Sequence, residues 1–260
     1  LSVKRSRFTD VGTAVHSDWG GSAGFYIADN DMLGRESLDY VFTWYAVEPW
    51  VSRPDFAEKA KMKSFYAVSL YGSGHVMAFN RVRGFHDGLD HVTYGAPEGW
   101  PNTPQDRLAA AIDIYNNYIT NAHDNSIEMD GSMHNIRVVR NLLINSASHP
   151  MSTQPSVGGP FYFIRNIVYN APGGSTRATA GSPGVFFYNN TVTTETSAGS
   201  SANSHWRNNL MLGQNVSASV FTVNTNTNYS SSDYNGFRLN AGTESFQWNS
   251  PPATVASIRA

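Results

Sequence analysis

One asparagine motif recurs along the chain and narrows the folds open to it. An apolar, x, apolar run followed by Asn, x and a further apolar residue appears in GFYIADNDM, HVMAFNRV, IDIYNNYI, IRVVRNLL, FYFIRNIV, VFFYNNTV, SHWRNNLM and, more weakly, SSDYNGF. The shared residues are Asn30, Asn80, Asn117, Asn141, Asn166, Asn190, Asn209 and Asn235, at successive steps of 50, 37, 24, 25, 24, 19 and 26. A base period near 24 is visible, with the first two steps lengthened by insertions. Period-2 alternation and β-branched or aromatic enrichment mark each unit as strand, and the units are too short and too rich in Gly and Asn for paired helices. Parallel strands recurring at this period stack as a solenoid.

Asparagine suits such a stack in two ways. It tolerates the left-handed backbone of a tight bend, and its amide can both donate to and accept from the Asn one coil away, which predicts an internal Asn ladder. On this repeated Asn turn, residues 1–237 resemble the right-handed parallel β-helix superfamily, the architecture of pectate lyases, polygalacturonases, alginate-acting enzymes and phage tailspikes. The resemblance implies an all-β, right-handed parallel β-helix solenoid of about eight coils, one per asparagine. Two long loop insertions are expected at about residues 34–73 and 93–106, and residues 238–260 as a C-terminal tail or cap. It also implies a secreted or cell-surface bacterial protein with a polysaccharide or oligosaccharide partner.

Composition excludes other classes. The 260 residues carry 18 Lys and Arg against 20 Asp and Glu, and no basic run is present to neutralise a row of phosphates, so no nucleic-acid partner is expected. No apolar run approaches the roughly 18 residues of a membrane span. Cysteine is absent, which excludes disulfides and thiolate sites. The opening LSVKRSRFTD is expected to belong to a mature fragment or to a chain whose ends lie outside this sequence.

Chemistry concentrates in one region. Aligning coils on their asparagines sets His86-Asp87 of GFHDGLDH over His123-Asp124 of NAHDNSIEMD. With one residue of slack, Asp90 stacks on Glu128, and Asp130 follows two residues along the same outward face. In the β-helix superfamily, substrate sites usually lie on the first strand of a coil and the loop before it, where these residues fall. Extending the columns brings in His16, Asp18 and Asp39 above, and His149 and Gln154 below. The segment 155–200 is nearly free of carboxylates and histidines, and its Glu195 is expected to be plain surface.

The expected catalytic residues are therefore Asp90, Glu128, Asp130, His86 and His123. The first insertion carries Trp44, Trp50, Phe65 and Tyr66 and a short helix capped by Ser52, and the second carries Trp100. Trp44, Trp50 and Trp100, with His91 and Gln154, are expected to bind substrate along a groove. Two chemistries suit it. A carboxylate pair would hydrolyse a glycosidic bond, or a Ca²⁺ held by Asp87, Asp124 and Glu128 would acidify a uronate for abstraction by a His base, as in a lyase. A transition metal on His86, Asp87, His123 and Asp124 is the further cofactor alternative. The paired-Asp and Gly-His-Gly signatures of polygalacturonases and the Arg-rich strand of pectate lyases are absent, so the resemblance carries fold more than mechanism. The competing class is a non-catalytic glycan-binding or structural module, of adhesin, tailspike or matrix type.

Overall fold

The structure, a computed structural model, describes residues 1–19, 21–34, 64–91, 109–154, 156, 158–178, 184–214, 219–226, 229–240, 245–248 and 253–254. Trp44, Trp50, Trp100, Asp39 and the helix expected after Ser52 lie outside the described residues. Within them the chain is all-β. Its strands fall into three sheets of nine, nine and ten strands, and every strand but the last pairs with the one three places away in the chain. All these pairings are parallel, and the arrangement is that of a parallel β-helix solenoid. Among the described residues the one antiparallel pairing joins Ser245–Trp248 to Ala253–Thr254. Ser245–Trp248 also adds to the third sheet through Thr222↔Gln247, so parallel stacking continues past residue 237.

Alternation along each strand sends one apolar column inward. In the first sheet Ile27, Met77, Ile114, Val138, Phe163, Phe187 and Trp206 stand in register and are buried. Parallel strands lie about 4.8 Å apart, so like side chains stack on like. The Phe163 and Phe187 rings are 4.9 Å apart at 8°, and Phe187 and Trp206 are 3.9 Å apart at 13°. The second sheet contributes Met32, Val82, Ile119, Leu143, Val168 and Val192, and the third Val68, Leu89, Ile127 and Met151. Each such side chain contributes about 1.5–3 kcal/mol by leaving water.

At the corner between the first and second sheets, the eight asparagines are hydrogen-bonded in sequence. Asn30 Nδ2 donates to Asn80 Oδ1, Asn80 to Asn117, Asn117 to Asn141, and the chain continues through Asn166, Asn190 and Asn209 to Asn235. Each Oδ1 from Asn80 onward also accepts the backbone N–H of the preceding asparagine. The expectation that these residues supply the left-handed backbone is corrected. That conformation belongs to the residue just before each: Asp29, Phe79, Asn116, Arg140, Arg165, Asn189, Asn208 and Tyr234, with φ between 54° and 58°. Asn is needed for its inward amide, and the strained turn is taken by whatever precedes it, even Phe79 or Tyr234 with exposed side chains.

A second difference concerns the first insertion. Tyr66–Leu70, expected within it, is a strand of the third sheet, paired on one side with Thr13–Ser17 and on the other with Asp87–His91. Phe65 and Tyr66, half-buried with rings 6.3 Å apart, sit at the start of this strand. Among the described residues no helix is long and apolar enough to cross a membrane.

Candidate functional site

The site grows from the outward face of the third sheet. Register places His16 beside Ser69, Ser69 beside Asp90, Asp90 beside Glu128, Glu128 beside Ser152 and Ser152 beside Arg177. Their neighbours Leu89, Ile127 and Met151 point into the core, so the pleat fixes this column on the opposite face. Asp130 lies two residues beyond Glu128. Its Oδ1 accepts hydrogen bonds from Ser152 Oγ at 2.7 Å and from the Gln154 N–H at 2.6 Å. Ser69 Oγ donates to Asp90 Oδ2 at 3.4 Å.

The segments leading into these strands stack as well. His123 N–H donates to Phe85 O and Asp124 N–H to His86 O, which sets His123 opposite His86 and Asp124 opposite Asp87. Two residues on, Gly88 N–H donates to Asn125 O and Leu89 N–H to Ser126 O, which sets Gly88 opposite Ser126. Asn125 is thus one extra residue in the lower coil, a local bulge. Its displaced N–H is satisfied by Asp87 Oδ1 at 2.9 Å, and its Nδ2 donates to Glu128 Oε2 at 3.0 Å. The slack needed to bring Asp90 over Glu128 resides at this residue.

The structure therefore brings together His86, Asp87, Asp90, His123, Asp124, Glu128 and Asp130. The His86 and His123 rings are 5.4 Å apart. Most of these polar side chains are buried, Asp90 to 6% exposure and Asp124 to 3%. The alternation of a strand tells which face a side chain takes and says nothing of what covers that face. His16 and Asp18 are exposed, and Ser69 stands between His16 and the acids. His91 is in register with Leu70 and shares the face of Leu89, away from Asp90. Its Nδ1 lies 3.4 Å from Ser132 Oγ, and burial, aided by His75, lowers it to about 3. Gln154 is half-buried and meets Asp130 through its backbone. His149 is half-buried, with Nδ1 3.0 Å from Ser148 Oγ.

Crowding of acids in a dry site has the expected electrostatic result. Burial pushes Asp90 well above the usual carboxylate range, and the charges of Glu128 and Asp130 push it further. Glu128 is raised first by burial, then by Asp87, Asp130 and Asp124, against the hydrogen bond from Asn125. Asp130 is raised to about 6 by burial, which outweighs its hydrogen bonds from Ser152 and Gln154 and the charge of Arg177. At neutral pH such a group of carboxyls retains protons or recruits a cation, and either condition is useful in catalysis.

Three participants escaped the sequence reading. Arg177 has a usable signal, since it follows Ser152 by one period of 25. Asn125 and Ser69 have none beyond their places in the columns. Glu195 departs from its expected role as plain surface: its Oε1 accepts from the Gln214 N–H at 2.7 Å and from Asn240 Nδ2 at 2.9 Å. Comparisons with protein-family models, curated proteins and solved structures found no significant match for this chain.

Proposed function

We propose that the chain is a right-handed parallel β-helix protein of about eight coils, pectate-lyase-like in architecture, that cleaves a polysaccharide by acid–base hydrolysis at Asp90 and Glu128. The observation that carries this reading is their register on adjacent strands of a face that also holds Asp130. A strand spacing of about 4.8 Å suits the roughly 5 to 5.5 Å separation used in double displacement. A carboxyl that keeps its proton near neutrality serves as the general acid for the leaving oxygen, and its ionised neighbour attacks carbon or activates water. Ser69 and Asn125 orient the pair by hydrogen bonds, and Ser152, Gln154 and Arg177 hold Asp130.

The test is product analysis on a panel of neutral and uronate polysaccharides, reading new reducing ends and the absorbance of unsaturated uronates together. Reducing ends without unsaturation support hydrolysis. Unsaturated products would replace it by the lyase chemistry, and retention of glycans without cleavage would leave the binding-module reading in its place.

A further inference from the structure

Beside the Asp90–Glu128 pair a second group of side chains converges from two neighbouring coils. His86 Nε2 lies 3.7 Å from Asp87 Oδ2 and 3.9 Å from Asp124 Oδ2. Each of the three residues offers one ligand atom such that all the atoms lie within 4.8 Å of one another, and all three are buried. We propose that His86, Asp87 and Asp124 bind a first-row transition metal ion of the Zn²⁺, Mn²⁺ or Fe²⁺ class.

The separations themselves favour a shared ion. Direct N–H···O hydrogen bonds run to about 3.2 Å, and both contacts exceed that. Two ligand atoms that each sit about 2.1 Å from a common ion are at most about 4.2 Å apart; both contacts of His86 fall inside that limit, and the whole set, within 4.8 Å, needs only a small closure to meet it. The spacing is too long for a hydrogen bond and suited to joint coordination.

The backbone prepares the group. The stacked hydrogen bonds from His123 and Asp124 to Phe85 and His86 place Asp87 and Asp124 opposite each other across coils. The bulge at Asn125 then turns its N–H onto Asp87 Oδ1, which orients the carboxylate and leaves Oδ2 as the oxygen nearest His86 Nε2. Hydrogen bonding to a ligating carboxylate is how outer groups fix a metal ligand. A separate observation points the same way: Asn125 Oδ1, on a residue 1% exposed and bonded directly to Asp124, accepts no hydrogen bond among the described residues. An unmet buried oxygen on the residue whose N–H bonds Asp87 and whose Nδ2 bonds Glu128 is an electron-pair donor in need of a partner.

Charge favours an ion as well. Asp87, Asp90, Asp124, Glu128 and Asp130 crowd one face, and Arg177 acts on Asp130 at its far end. A divalent cation held between Asp87 and Asp124 offsets the mutual repulsion of acids crowded on one face. The imidazole decides the class. Ca²⁺ takes six to eight oxygen ligands, whereas one imidazole nitrogen with two carboxylate oxygens suits Zn²⁺, Mn²⁺ or Fe²⁺. His123, stacked beside His86, lies next to this set and outside the three converging atoms.

The site is independent of the hydrolytic reading, because an ion binds here whether or not a glycan is cut. The experiment uses the full chain stripped with a chelator and titrated with Zn²⁺, Mn²⁺, Co²⁺ or Ca²⁺ in competition with a chromophoric chelator, with no glycan present. One equivalent of Zn²⁺ or Co²⁺ is expected, more tightly held than Ca²⁺. His86→Gln and Asp124→Asn should each weaken Zn²⁺ by at least about 10-fold, and Asp233→Asn, at an exposed position, should not. Anomalous diffraction from wild-type crystals soaked in Zn²⁺ should place the ion against His86 Nε2, a readout that stands if the variants misfold. Absence of stoichiometric binding, tighter binding of Ca²⁺, undiminished affinity in both folded variants, or an ion located elsewhere would each overturn the proposal.

Discussion

Asp90 and Glu128 face each other across one parallel ladder, in register, with Leu89 and Ile127 beside them turned into the core. The pair cannot drift apart without moving apolar side chains that are wholly buried. Neutralising either acid should therefore affect chemistry more than folding. On a substrate found by product analysis, Glu128→Gln and Asp90→Asn are each expected to lower turnover by at least about 100-fold. Melting temperatures at pH 7 should hold or rise, because each amide keeps the size of the acid and removes the cost of ionising it on a crowded, dry face. Asp233→Asn serves as the control, since Glu195 is engaged by Gln214 and Asn240. Full turnover in both variants would make the cluster a structural feature and end the hydrolytic reading.

Asp130 offers a pH test with a definite sign. Its folded value of about 6 lies above its ordinary 3.8, so the native state holds a proton that the unfolded chain releases. Below about pH 4 the carboxyl is protonated in both states and costs nothing. Between about pH 4 and 6 the unfolded state alone ionises, and native stability falls by about 3 kcal/mol, at about 1.4 kcal/mol per unit. Asp130→Asn keeps an oxygen for Ser152 and the Gln154 N–H and removes the titration. Its melting temperature in chelator should match wild type near pH 4, then exceed it by a margin that widens and levels off above about pH 6. His91, lowered to about 3, acts in the opposite sense, losing stability as pH falls below its ordinary 6.5. The difference between variant and wild type is thus the clean readout. A margin that does not vary with pH would contradict the assignment.

What could be read without coordinates, and what could not, divides along physical lines. The asparagine spacing reveals the stacking because each inward amide must meet the next, so the period is written in residues that cannot vary freely. The same spacing brings Asp90 to Glu128 once one residue of slack is allowed. It does not say that the slack is Asn125, since a bulge depends on which N–H finds a new acceptor, here Asp87. Tyr66–Leu70 has no such signal, because third-sheet strands lie away from the Asn corner and carry no marker of their own. Propensity assigns the left-handed turn to asparagine, yet Arg140 and Phe79 adopt it because the ladder beside them outweighs their local preference. Burial of the acids depends on what covers the sheet, and a strand's alternation is silent on that.

Gly88 sits between the proposed metal ligand Asp87 and the inward Leu89. A Cβ on it would collide with Ser126 O and approach Ile119 Cγ2 to 2.9 Å. Backbone and core both resist that carbon, so Gly88→Ala should destabilise by about 1–3 kcal/mol. The strain falls where the bulge at Asn125 returns to register. Zn²⁺ affinity and turnover should therefore decline together in the folded fraction, measured after correction for melting temperature. An unaltered melting temperature would mean that the close approach relaxes freely.

Adjacent residues at the corner separate the amide ladder from the left-handed turn. Asn141 Oδ1 accepts from Asn117 N–H at 3.0 Å and Asn117 Nδ2 at 2.9 Å, and its Nδ2 donates to Ile114 O and Asn166 Oδ1, both at 3.0 Å. Asn141→Ala strips all four bonds from a buried site and leaves the Asn117 donors facing a methyl group. With each unmet buried donor costing about 1–3 kcal/mol, a loss on the order of 4 kcal/mol is expected. Arg140, with φ of 55° and an exposed side chain, carries the strain and none of the ladder. Arg140→Gly relieves a left-handed penalty of roughly 1–2 kcal/mol, partly offset by the greater freedom of glycine in the unfolded chain, so stability should hold or rise by up to about 1 kcal/mol. Chemical denaturation of both variants decides the matter. Equal destabilisation would mean that the corner tolerates neither change and that the ladder holds no special share of the stability.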